Sequence, residues 1–172
     1  MTSLVLFLLL WGQASEPAAA NEYTFYRSET QQPESDATYP CGVMSEQLDT
    51  HKMPKTTHVA VSKEKALLYV MVEYGGFYQN RIGVDGHWVG ATKGQGHIGV
   101  ELEPGEHRVC AKLRTMDPAF TKLKAEAGKT YYLRVWMVTR SAFGRIAFET
   151  LDDPVAERDI SKSTLYSTTL KH

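Results

Sequence analysis

Long apolar runs, clustered cysteines and blocks of like charge are all missing from this sequence. The apolar stretch from Leu4 to Trp11 (LVLFLLLW) falls well short of the roughly 20 residues that a membrane-spanning helix needs. With two cysteines and no C-x-x-C, the chain encodes neither a zinc-ribbon half-site nor a redox dithiol. Its formal net charge is -1, with the signs intermixed. No basic stripe along the chain stands ready to neutralise phosphates, which argues against nucleic acid as a partner. A Walker-type phosphate loop is excluded because Lys93 precedes Gly94 and no G-K-[ST] occurs. There is also no G-x-S-x-G elbow, and no spacing of Ser, His and Asp that would place a hydrolytic triad together.

What is present reads as an exported domain. An apolar share of 42% against 23% charged residues, over 172 positions, suits one water-soluble domain with a real core. The Leu4 to Trp11 run has the size of a secretory h-region, and Ala18-Ala19-Ala20 supplies an A-x-A cleavage site before Asn21. Gly12-Gln13-Ala14 is a second, weaker option. No Lys or Arg precedes the run, which departs from the usual signal, and no cysteine stands where a lipoprotein anchor needs one. The expectation is a signal peptide over 1–20 and a periplasmic or secreted product. In an oxidising compartment, Cys41 and Cys110 are most simply one disulfide, and the alternative is a buried free thiol at Cys110. The bridge would close a loop of about 69 residues, for which chain entropy gives roughly 4 kcal/mol.

Residues 21–40 (NEYTFYRSETQQPESDATYP) are polar and follow neither the helical nor the strand period, as a loosely held arm would. The domain is expected to span 41–172, with irregular chain and at most one short strand over 42–63. Ala66 to Glu73 (ALLYVMVE) is apolar on both faces, as a central strand is. Asn80 to Val84 and His87 to Lys93 flank Asp85-Gly86, the signal of a type I′ hairpin. His97 to Leu102 and His107 to Arg114 flank Glu103-Pro104-Gly105-Glu106, which predicts a second hairpin and hence a four-strand meander. Ala119 to Ala125, Thr130 to Val138 and Gly144 to Leu151 add strands, and Asp153-Pro154 opens a short helix over Pro154 to Ile160. About seven strands with frequent turns predict an immunoglobulin-like sandwich.

Gly94 to Gly99 (GQGHIG) matches the dinucleotide fingerprint in letters only. That fingerprint works by opening a helix onto the pyrophosphate, whereas Gly99 leads into Val100 to Glu103 and a Pro-Gly turn. The motif is expected to join strands, with Gly99 at a bulge or close packing. His87, His97 and His107 recur every ten residues, but a meander would hold His97 at the far end from the other two. Glu101 and Glu103 alternate on one strand face, as solvated acids commonly do. Trp88 and Trp136 lie within strands and are expected in the core. The binding candidates are Tyr74, Phe77 and Tyr78 around Gly75-Gly76; flat aromatics on a loop either stack on sugars and protein partners or fold back over the end of the core. No catalytic, cofactor or metal residues are assigned.

In order, ALLYVMVE, VDGHWVGA, VELEPGEHRVCA and AEAGKTYYLRV resemble a bacterial family of exported proteins, domain-of-unknown-function family 2846, over about residues 65 to 138. Cys41, in Pro40-Cys41-Gly42, and Cys110 sit where members of a cysteine-bearing subgroup carry theirs. The hairpins are similar as well to PEGA-type domains of bacterial envelopes. The resemblance implies an exported, mostly antiparallel all-β domain with no catalytic residues to carry over; together with the strand and helix signals above, the expected fold is an immunoglobulin-like or PEGA-like sandwich of about seven strands with one short C-terminal helix. The function expected is a non-catalytic binding or structural module of the envelope whose partner is an envelope protein or a glycan. An enzyme with an unrecognised site is the rival.

Overall fold

Side chains on a strand alternate between two faces, so a sandwich requires each sheet to turn one apolar face inward. The computed structural model describes residues 41–54, 59, 62–73, 76, 78–113, 116–138 and 145–171. The expected signal peptide (1–20), the arm (21–40), and Tyr74 and Phe77 lie outside them. The elements are β1 (Gln47–Lys52), β2 (Ala66–Val72), β3 (Gln79–Val84), β4 (His87–Lys93), β5 (Gly96–Leu102), β6 (Gly105–Leu113), β7 (Ala119–Ala125), β8 (Thr130–Val138), β9 (Arg145–Thr150), α1 (Asp153–Lys162) and β10 (Tyr166–Lys171). Two four-stranded sheets form, ordered β5-β2-β8-β9 and β4-β3-β6-β7, with a two-stranded sheet of β1 and β10. Strand pairing is antiparallel apart from β2 with β8. No helix among the described residues is long and apolar enough to cross a membrane.

The core lies between the two large sheets. Ala66, Leu68, Val70 and Val72 of β2 meet Ile82 and Val84 of β3 and Val109, Ala111 and Leu113 of β6 in one buried cluster. Each such leucine, isoleucine or valine contributes roughly 1.5–3 kcal/mol by leaving water. β2 is buried on its other face too, at Leu67 and Met71, as its uninterrupted apolar run led one to expect.

Among the described residues the architecture is an all-β, mostly antiparallel sandwich with one short helix, though the strands number ten there rather than about seven. The β3–β4 hairpin forms as the Asp-Gly pair dictates, with Asp85 at φ 51° and Gly86 at φ 83°. The second hairpin does not form, and neither does the four-strand meander. β5 pairs with β2 in one sheet, while β4 and β6 both pair with β3 in the other. The glycine connection therefore carries the chain across the sandwich, and Pro104-Gly105 brings it back. Composition could not separate the two outcomes, because a hairpin and a sheet-crossing corner need the same turn-forming residues. What decides between them is which strand edges remain open in three dimensions. Gly96 must be small because a Cβ there would lie 2.5 Å from the ring of Tyr166. Gly99 is closely packed, as expected, since its Cβ would lie 2.5 Å from Val59.

The helix begins slightly earlier and ends later than its sequence signal. Asp152 occupies the N-cap position, Pro154 lies in the first turn, and Ser163 ends the helix. Val155, Ala156 and Ile160 pack with Met71, Tyr132 and Leu151, so α1 covers the outer face of the β5-β2-β8-β9 sheet. β10 carried no sequence signal; its YSTTLK is held by Tyr166 Oη donating to the Lys93 carbonyl at 2.7 Å and by the Ala91 amide donating to Thr168 Oγ1 at 2.9 Å.

Candidate binding face

The outer face of the β4-β3-β6-β7 sheet gathers the two cysteines and most of the chain's unusual side chains. Cys41 and Cys110 are bonded, with Cα atoms 5.6 Å apart, across a separation of 69 residues. Both are buried, beside Leu48, Trp88, Ala91 and Phe120. Gly83, opposite Cys110 on β3, gives the bridge its seat: a Cβ there would run into the Cys41 carbonyl and lie 2.8 Å from Cys110 Sγ. Beyond the bridge, the chain lies over β3 and β4. Trp88 Nε1 donates to the Val43 carbonyl at 2.8 Å, and Arg81 donates to the Glu46 carbonyl at 3.1 Å while resting 5.6 Å from the Trp88 ring centroid. Gln79 Nε2 donates to the Leu48 carbonyl at 3.0 Å and to Thr50 Oγ1 at 2.9 Å. One half of this face is thus closed by residues 41–50.

The other half, over β6 and β7, is cationic. Arg108 lies 4.1 Å from the centroid of the Phe120 ring, a contact worth roughly 0.5–1 kcal/mol at an exposed site. Lys122 stands directly opposite Arg108, and Lys124 opposite Glu106. Arg108, Lys122 and Lys124 are exposed. Like charges directly opposite one another on a sheet oppose folding, so the Arg108–Lys122 pairing is a local cost. Lys112 shares this side of β6 and donates to the Met116 carbonyl; burial lowers its pKa against the opposing charge of Asp117.

Of the aromatic loop, Tyr78 is described, and at 53% exposure it stands in solvent just ahead of β3. Trp88 is buried, but beneath the 41–50 segment rather than between the sheets, and Trp136 is half-buried on the Arg134 side of β8. Trp88 is thus packed in a buried hydrophobic cluster, as its strand position led one to expect, whereas half-buried Trp136 is not, which corrects the sequence reading for that residue. Burial under a covering segment follows the same strand pattern as burial between sheets.

The three histidines are not brought together, and no group of three metal-ligating residues occurs among the described residues. The reason differs from the one expected: His97 is on β5, in the other sheet from His87 and His107. His107 Nδ1 lies 2.7 Å from Asp85 Oδ2, and its Nε2 lies 2.7 Å from the Glu103 carbonyl. Burial alone would lower the His107 pKa, but the Glu103 carbonyl and the Asp85 carboxylate raise it above 6.5. Asp85 moves the opposite way: against burial, the Arg108 amide and His107 hold its pKa below the ordinary carboxylate value. The buried His97 ring is pushed down to about 4 by burial. Its Nδ1 meets Ser163 Oγ at 2.5 Å, and Ser163 Oγ also donates to the Ile160 carbonyl at 3.2 Å. A hydroxyl whose proton goes to a carbonyl, beside so weak a base, is not an activated nucleophile. Glu101 and Glu103 are tied to Lys65 Nζ, at 3.9 and 2.9 Å. A shallow cleft of about 370 Å³ opens between Tyr131, Tyr132, Asp152 and Asp153 at the start of α1.

No family model matches the chain, and no curated protein matches it.

Proposed function

We propose that this chain is an exported β-sandwich that works by binding, as a non-catalytic module of the bacterial envelope or a secreted one, with an envelope protein or a glycan as partner. The Cys41–Cys110 bridge carries the reading, because disulfides persist in oxidising, extracytoplasmic compartments. The secretory pattern of residues 1–20 supports the same compartment. The likeness to family 2846 supports it independently: its motifs fall on β2, the β3–β4 hairpin, β5, β6 and β8, the strands that build the sandwich. Exposed Tyr78, within the Tyr74, Phe77 and Tyr78 group, offers the flat surface that sugars and protein partners use.

The test is cross-linking in intact cells together with glycan binding by the purified protein. Recovery of one envelope partner or one glycan class, lost on replacing Tyr74, Phe77 and Tyr78 with Ala, supports the reading. Repeated failure to recover either one overturns it. Binding that survives the triple replacement moves the site elsewhere on the domain.

A further inference from the structure

The cationic half of the β4-β3-β6-β7 sheet has a covering segment for its neighbour and none among the described residues for itself. Arg108 and Lys122 face each other across β6 and β7, Lys124 follows on the same side opposite Glu106, the one acid among these paired positions, and Phe120 lies flat under Arg108. Cys41 is fastened to Cys110, which lies between Arg108 and Lys112 on that face of β6 and opposite Phe120. From Cys41 the chain runs away over β3 and β4, where Val43 and Glu46 accept from Trp88 and Arg81.

We propose that the acidic arm formed by residues 21–40 docks on the cationic surface of Arg108, Phe120, Lys122 and Lys124, so that one continuous segment covers the whole outer face of this sheet. The arm carries Glu22, Glu29, Glu34 and Asp36 against Arg27, four negative charges to one positive. It also carries Tyr23, Phe25, Tyr26 and Tyr39, which suit the Phe120 and Arg108 surface. Charge complementarity supplies the attraction, and the covalent anchor at Cys41 raises the local concentration of arm over face to the millimolar range typical of short tethers. Reach is no obstacle, since 20 extended residues span up to about 70 Å. The docked carboxylates would relieve the repulsion between Arg108 and Lys122. The inference does not depend on the proposed envelope function, because it concerns the chain's own two parts.

Carbodiimide coupling, which joins a lysine amine directly to a carboxylate, tests it on the full chain with its disulfide intact. The expected result is intrachain links from Lys122 and Lys124 to Glu29, Glu34 or Asp36, at several times the yield from exposed Lys162 on α1. Raising salt to about 1 M, where the screening length is near 3 Å, should cut that yield several-fold. Arg108→Glu should cut it as well, while Arg108→Lys keeps it. Links that join two chains, links indifferent to salt, or yields no higher than at Lys162 overturn the proposal.

Discussion

The two outer faces of the sandwich are closed by different means. Over the β5-β2-β8-β9 sheet, α1 follows β9 after two residues and lays Val155, Ala156 and Ile160 on Met71, Tyr132 and Leu151. Arg134 then ties helix to sheet, reaching Asp159 at 2.9 Å, Glu149 at 3.3 Å and Glu73 at 3.1 Å. Over the β4-β3-β6-β7 sheet, the cover is residues 41–50, which begin as a hydrogen-bonded loop, Cys41–Glu46, with Val43 and Met44 turned to solvent, and run into β1, whose Leu48 packs with Trp88. A helix with an apolar side holds itself down by burial. A loop without one needs a covalent anchor, and the 69-residue separation of the cysteines makes that anchor effective.

The sharpest way to break this comparison is to remove the anchor. Replacing Cys41 and Cys110 with Ala should cost about 4 kcal/mol in urea unfolding, and should leave Trp88 accessible to a fluorescence quencher while α1 stays packed. An unchanged midpoint would mean that the loop holds without its bond. On the other side, Met71→Ala should cost about 2–3 kcal/mol through the cavity it opens under α1, with no effect on Trp88 quenching. Arg134→Ala is expected to be milder, about 1–2 kcal/mol, and its effect should shrink at high salt, since the guanidinium and its three carboxylates are only partly buried.

The smallest effects are expected from pH, and they separate two histidines of opposite sign. His97 is held neutral with its pKa down at about 4 against an ordinary 6.5. Its contribution is complete above pH 6.5 and is lost as pH falls from there toward 4. The His107 pKa is raised by its contacts with Glu103 and Asp85, so its contribution is complete below 6.5 and is lost as pH rises through the raised value. Unfolding midpoints measured from pH 4 to 9 should show His97→Gln flattening the limb below pH 6.5 and His107→Gln flattening the limb above it. If both variants flatten the same limb, the two environments have been misassigned.

Much of this architecture was legible in the chain. β7 and β8 have the bounds that their patterns indicate, and Asp85-Gly86 turns as its chemistry requires. The disulfide was legible from the count of two cysteines beside an apolar stretch of the size expected in an export signal. The partition of strands between sheets was not, because inward-facing Ile98 and Leu102 alternate in the same way whether β5 joins β6 or β2. β10 escaped notice because Ser167, Thr168 and Thr169 show no apolar alternation, and its place comes from β1 and the Ala91 backbone. The cationic surface escaped for a related reason: Arg108 and Lys122 stand far apart in sequence, with charges of both signs (Lys112, Arg114, Asp117) between them, and meet only through the β6–β7 register.

Local chemistry determined where this chain turns, which segments extend, and that GQGHIG could not open a helix onto a phosphate. Tertiary structure alone decided that the same glycines cross from one sheet to the other, and that a chain with a net charge of -1 sets Arg108, Lys122 and Lys124 on one face beside its disulfide. Turn and strand preferences act over a few residues, whereas sheet membership and surface charge depend on which distant edges and faces come together.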